Sequence, residues 1–334
     1  MVIVQSYSIA IIMCFITMLC WGSWANTQKL ASKEWPFQLF YWDYSIGVLI
    51  LALIFAFTMG SIGAEGRSFL TDIKQADSAN LWSAFIGGVV FNLSNILLVV
   101  AIDIAGMAVA FPVGVGLALA IGVITNYVAS PVGNPVILFA GVACVVVAIL
   151  VDAFAYSRLS KTNKKSVTKG LLIAILAGVL MGFFYRFVAA SMFENFASPE
   201  AGKLSPYTAV VVFSVGLLIS NFIWNTVLMF KPVNGAQVKY SDYFSKGSAK
   251  LHSIGILGGV IWNIGMSFSI IASGSAGFAI SYGLGQGATM VAALWGVFIW
   301  KEFKNAPSGT NKYLALMFIF FFVGLGMIII SKLV

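Results

Sequence analysis

Charge is what this chain has least of. Asp, Glu, Lys and Arg make up 9% of its 334 residues, and 60% are hydrophobic, whereas a soluble domain carries roughly 25% charged residues. No polar stretch is long enough to form a separate soluble domain. Histidine occurs once, at His252, and cysteine three times, at Cys14, Cys20 and Cys144. The cysteines fall inside apolar runs at no metal-ligand spacing, so they read as core residues rather than a zinc site. No Ser-His-Asp order and no carboxylate pair suited to acid–base work stands out, which leaves an intramembrane enzyme without a constellation. No basic residue precedes Lys29 and no small-x-small site follows the first apolar run. That run is therefore expected to remain as a membrane span and not to be cleaved as a signal peptide.

What the chain has in abundance is apolar runs of about 20 residues, each long enough to cross a hydrocarbon core. Ten spans are predicted, at 6–28, 37–59, 80–102, 107–128, 135–156, 168–192, 206–229, 252–273, 276–299 and 312–333. A soluble fold cannot hide that many helices that are apolar all round, so the expected class is an all-α polytopic protein of the lipid bilayer. The net charge of +8 collects in loops: fourteen Lys and Arg lie on the side of loops 1–2, 5–6, 7–8 and 9–10, and four on the other side. This asymmetry needs no nucleic-acid partner. It predicts that the fourteen-residue side is cytoplasmic and that both termini are extracytoplasmic, in the cell (inner) membrane.

One stretch occurs twice. Gly87–Gly116 aligns without a gap on Gly258–Gly287, at a constant offset of 171 residues, and ten of the thirty positions are identical. The matches include Gly87/Gly258, Gly88/Gly259, Asn92/Asn263 and Gly106/Gly277. The offset is close to half the chain, so ten spans divide into five and five: residues 1–160 and 161–334. An odd number of spans per copy turns the second copy upside down, which predicts two inverted five-helix repeats, a transporter architecture. A weaker pairing lays Trp21-Gly22-Ser23-Trp24 on Met181-Gly182-Phe183-Phe184 and Asn26 on Arg186. The short loops 103–106 and 273–276 make spans 3/4 and 8/9 tight hairpins.

WGSWANTQKL (21–30), WDYSIG (42–47), FTMGSIG (57–63), GGVVFNLSN (87–95), FSVGLLISNFIW with FKPV (213–233) and WKEF (300–303) resemble the ureide permease family, in order along nearly the whole chain. The resemblance implies the fold of the drug/metabolite transporter superfamily, near the glucose/ribose and rhamnose porters. It also implies proton-coupled uptake of small neutral polar solutes, such as allantoin, nucleobases or monosaccharides. Plant members carry a long central loop with a nucleotide-binding-like motif. Here the loop at 157–167 is short and no G-x-x-x-x-G-K-[ST] occurs, so no ATP use and no cofactor beyond the proton gradient is expected. The expected partners are a small-molecule solute, protons and lipid, with the chain a monomer or homodimer. Export of drugs or amphiphilic metabolites is the alternative, and a mostly hydrophobic cavity lining would favour it.

Polar groups inside spans are costly and usually face a pathway, so they are the site candidates. Asn92 and Asn263 each lie about eleven residues into a span, at ~1.5 Å per residue near the midplane. They either bind solute or glue helices together. Gln286 lies near the midplane among Gly283, Gly285 and Gly287. Pro112, in the matching span, removes a backbone donor and exposes a carbonyl. Trp21, Trp24, Tyr41 and Tyr282 are the aromatic lining candidates, with Asn26 beside the first two and Asn221 on a polar stripe with Asn225. Asp43 matches the Asp of the family motif and is the candidate for proton coupling; static pairing with Lys29 or Lys33 and solvation at the membrane edge are its two alternatives. Arg186 lines an outer vestibule or snorkels to the interface, and Glu302, with Lys301, closes an inner gate. Asp103 and Asp152 are expected to be solvated at span ends, and His252 to be interfacial.

Overall fold

Lipid offers no partner to a backbone N–H or C=O, so each apolar run closes into a helix that satisfies its own groups. The structure, a computed structural model, describes residues 1–31, 34–159, 164–233 and 235–334. Among these, ten helices are long and apolar enough to span: Tyr7–Ala31, Phe37–Phe57, Ser78–Ala105, Val109–Ala129, Pro135–Ser157, Val167–Ser191, Pro206–Phe230, Ala249–Ala276, Phe278–Ile299 and Thr310–Ile330, here spans 1 to 10. The expected boundary between residues 160 and 161 lies outside the described residues, as do Lys33 and Lys161.

Local chemistry sets several starts. Spans 5 and 7 open on Pro135 and Pro206, where a missing N–H costs nothing. Asn134 accepts from the Val136 and Ile137 amides, and Ser205 from Thr208, so the orphan donors of the first turn are met.

Spans 3 and 8 are 28 residues each and end at Gly106 (φ 82°) and Gly277 (φ 87°). The expected loops 103–106 and 273–276 are shorter than read from the sequence: one glycine at positive φ with an extended ψ reverses the chain, so the helices run on into the turn.

The repeated glycines are sites of backbone contact. A Cβ on Gly88 would lie 2.0 Å from the Phe213 carbonyl oxygen, and one on Gly259 would lie 2.0 Å from that of Tyr44. Gly216 meets the Phe85 carbonyl and Gly47 the Ile256 carbonyl in the same way, at 2.2 and 2.1 Å. Span 3 thus crosses span 7 as span 8 crosses span 2, with small residues letting the backbones touch. Span 6 packs on spans 3 and 4, span 1 on spans 8 and 9, and span 10 on span 5. The first two pairings set Gly182 against Ile121 and Gly22 against Val291.

The two chain ends meet at one end of the bundle. Ser275 donates to the Val4 carbonyl, Lys332 to the Ser275 carbonyl, and Tyr7 to the Ile329 carbonyl at 2.6 Å. A buried ion pair closes this terminal end. Asp72 accepts from Arg67 at 2.9 Å and from the Ser205 amide at 2.7 Å. Arg67 also donates to the carbonyls of Glu200 and Lys203, both at 2.7 Å.

Candidate functional site

A cavity of about 230 Å³ lies between the middle of the bundle and the end that carries Lys29. Spans 1, 3, 4, 5, 6, 8 and 9 contribute to its wall. The wall is mostly aromatic and aliphatic, with Trp21, Trp24, Phe91, Phe111, Phe184 and Trp262 prominent, and its polar side chains include Asn95, Asp152, Gln286 and Thr289.

Gln286 sits where span 9 breaks. The span is three segments, Phe278–Gly285, Ala288–Leu294 and a π-helical turn Trp295–Ile299. Broken helices deliver polar groups to binding sites in transporters. No described residue hydrogen-bonds the Gln286 amide, so its donors and acceptor are available to the cavity. Pro112, in the opposing wall, sits within a helix that continues past it.

Trp21, Trp24 and Gln286, expected as lining residues, all belong to the wall. Six other candidates do not, and their hydrogen bonds say why. Asn92 donates to the Leu217 carbonyl at 3.2 Å and to Ser220 at 2.9 Å, while Asn263 donates to the Val48 carbonyl at 2.8 Å. Both are fully buried and tie spans 3 and 8 to the helices they cross. Asn221 donates to Ser45 at 3.2 Å, a further tie between spans 7 and 2. Tyr282 donates to the Ala118 and Met181 carbonyls at 3.2 and 3.3 Å, and so stands behind the wall between spans 4 and 6. Tyr41 is one step behind it, accepting from Asn95 at 3.0 Å. Asn26 accepts from Trp300 at 2.6 Å and belongs to the closure at the Lys29 end.

That closure is a ladder between spans 1 and 9. Trp295 donates to Ser23 at 2.8 Å, Trp300 to Asn26, and Lys29 pairs with Glu302 at 2.8 Å while lying 4.1 Å from the centre of the Trp300 ring. Glu302 also accepts from Tyr156 of span 5 at 2.7 Å. Partial burial pushes the Glu302 carboxyl up, but the hydrogen bonds from Lys29 and Tyr156 and the ammonium charge outweigh it and leave the carboxyl below the usual range. On the other side of the cavity, aromatic rings form a floor toward the terminal end. Phe91 and Trp262 are 4.5 Å apart, Phe91 and Phe184 5.0 Å, and Tyr185 and Tyr282 5.0 Å. Arg186 is half-buried on span 6 and forms no ion pair with a described carboxylate.

Asp43 lies outside the wall, and its described partners are a tryptophan, a tyrosine and a histidine, Lys33 lying outside the described residues. Its Oδ2 accepts from Trp35 at 3.0 Å, and its Oδ1 faces His252 Nδ1 at 2.9 Å and accepts from Tyr243. The site needs the glycine opposite, since a Cβ on Gly255 would lie 2.4 Å from that of Asp43. Burial and the adjacent carboxylate push the Tyr243 phenol up. His252 is therefore not a bystander at the interface; it joins span 8 to span 2. It lies 209 positions from Asp43 in the chain, and nothing in the sequence pointed to their meeting.

Asp152 departs most from expectation. It is 7% exposed, not solvated, because span 5 turns this residue toward the cavity and not toward the end of the bundle. A lone carboxylate in an otherwise apolar run was the available signal. Asn95 was missed beside Asn92, three residues away in the same helix.

Against known proteins, the ureide permease family model matches residues 40–169 and 156–331. Ureide permease 1 of Arabidopsis thaliana is 22% identical over 99% of both chains. Ureide permease 2 of the same plant is 23% identical, again over 99% of both chains. The probable ureide permease A3 of Vigna unguiculata is 27% identical over 49% of this chain and 45% of its own. A solved crystal structure of a protein of 16% identity superposes with a TM-score of 0.59 over 96% of each chain, which shows a shared fold alone. With ten spans, a polar-patched cavity at mid-bundle and a match along most of its length, this multi-pass membrane transporter belongs to the ureide permease family.

Proposed function

We propose that the chain carries ureides or nucleobases, allantoin and uracil being the test compounds, into the cell by proton-coupled alternating access. The observation that carries this reading is the cavity itself. Flat aromatic faces suit a planar ring, and the free Gln286 amide and Asn95 offer hydrogen bonds to C=O and N–H edges. Relatives named as ureide permeases along the whole chain support the same cargo over a monosaccharide.

In this reading the two halves, 1–160 and 161–334, are inverted repeats of the drug/metabolite transporter fold, rocking about the crossings of spans 3/7 and 8/2. Matched glycine contacts and chain ends at one end of the bundle support it. With the Lys29 end cytoplasmic in the cell membrane, the cavity faces inward and the Lys29–Glu302 ladder, with Tyr156, is the inner gate. Asp43 is the proton-coupling site, with His252 and Tyr243 as its titratable neighbours. It acts at a distance, by tightening or loosening the contact between spans 2 and 8. The working unit is a monomer or homodimer.

Purified protein screened for thermal shift and vesicle uptake against allantoin, uracil and monosaccharides tests the cargo, because a ligand stabilises the state that binds it. A response to monosaccharides alone would reject it. Acid-stimulated uptake that survives undiminished in Asp43→Asn would remove Asp43 from coupling. The apolar share of the wall suits an amphiphile exporter, but the polar wall residues and the family relationship favour the polar solute.

A further inference from the structure

Among the described residues three carboxylates are deeply buried, and two of them are matched by protein donors. Asp72 has Arg67 and the Ser205 amide; Asp43 has Trp35, Tyr243 and His252. Asp152 is the third. Its Oδ1 is enclosed and has no hydrogen-bond partner among the described residues, and its Oδ2, which is not enclosed, likewise accepts from no described side chain while the residue lines the cavity. No described Lys or Arg belongs to the wall it helps to form. A buried carboxylate oxygen left without a donor is costly. Among the described residues nothing relieves that cost, and the cavity lies beside Asp152.

We infer that Asp152 is a solute-binding residue whose free carboxylate accepts an N–H of the cargo, which the proposed function takes to be a ureide or nucleobase. Gln286 and Asp152 then divide the work. The Gln286 amide donates to a cargo carbonyl, and Asp152 takes a donor that an amide side chain could not match in strength. Binding here also bears on the gate. Tyr156 is one helical turn beyond Asp152 on span 5, lines the same cavity, and donates to Glu302. Cargo held by Asp152 therefore rests against the helical turn that closes the Lys29 end.

The test uses the full chain in detergent and two probes that differ in their N–H groups: hydantoin, which has two ring N–H donors, and N,N′-dimethylhydantoin, in which a methyl replaces each of them. Wild type is expected to bind hydantoin about tenfold or more tightly than dimethylhydantoin, the weight of a charge-assisted hydrogen bond. Asp152→Asn is expected to erase most of that preference while keeping or raising the melting temperature, which separates a binding role from a structural one. Asp152→Glu, which keeps the charge, is expected to restore part of it. Unchanged preference in a folded Asp152→Asn protein overturns the inference and leaves the cargo reading intact. Equal affinity of wild type for the two probes overturns it without any variant. Wild type that binds a monosaccharide and no ureide or nucleobase overturns the cargo reading, and the N–H assignment with it.

Discussion

Asp43 and Asp152 are both acidic residues buried in apolar helices, yet their surroundings are opposite. Asp43 is caged by a tryptophan, a tyrosine and a histidine, away from the cavity. Asp152 stands in the cavity wall with a carboxylate that no described residue meets. The first arrangement spends its carboxylate on holding spans 2 and 8 and the short helix Tyr240–Ser245 together. The second leaves its carboxylate available at the expense of stability. Buried polar groups are tolerable when matched, and an unmatched carboxylate is the costliest to leave so; what sets Asp152 apart from the unmatched amide oxygens of Asn92 and Asn263 is its charge and its place in the cavity wall.

The contrast can be broken by mutation, and the largest effect belongs to the caged site. Asp43→Ala strands three donors and should lower stability by about 3 kcal/mol, the scale for removing one partner of a buried charged pair. Thermal unfolding in detergent measures it; an unchanged melting temperature would place Asp43 outside the scaffold. Asp152→Leu should move the other way, raising stability by about 1 kcal/mol because an unmatched polar group is replaced by an apolar one. The same variant should lose hydantoin binding. A fall in stability as large as that of Asp43→Ala would erase the distinction between the two sites.

Gln286→Ala sharpens the comparison from the cavity side. It removes one neutral hydrogen bond to solute and should weaken affinity about fivefold, or about 1 kcal/mol, with no change in melting temperature. Smallest is the ladder at the Lys29 end, whose side chains are 44% and 31% exposed at Lys29 and Glu302. Glu302→Gln should cost less than about 1 kcal/mol but should speed thiol labelling at Ala153→Cys in a background free of the native cysteines. Since the folded Glu302 carboxyl is held below its ordinary range, the ladder's contribution is complete above that range. It is lost as pH falls through the depressed value, so acid should speed labelling in wild type and change it little in Glu302→Gln.

Much of the frame was legible in the residues. Ten apolar runs predict ten spans, and all ten appear within a few residues of their expected bounds. Gln286, Trp21 and Trp24 were selected by polarity, neighbouring glycines and aromatic character, and the fold brings all three to one wall. The side of the helix was not legible. Asn92 and Asn95 differ by three positions, about 60° of helical rotation, yet one ties span 3 to span 7 and the other faces the cavity. Depth along a helix is a matter of counting, and it placed Asn92 and Asn263 correctly at mid-span. Counting could not say that the midplane at that azimuth is filled by a crossing helix.

Composition and period alone therefore determined that the chain is helical, that it crosses a membrane about ten times and that one hairpin recurs, because lipid forces every span to satisfy its own backbone and to be apolar outside. Only the tertiary structure decided which polar groups are spent on other helices and which are left for a solute. That choice depends on what stands across from each side chain, and the neighbours of Asp43, Asp152, Asn92 and Asn95 come from distant parts of the chain, 209 residues away for Asp43 and His252.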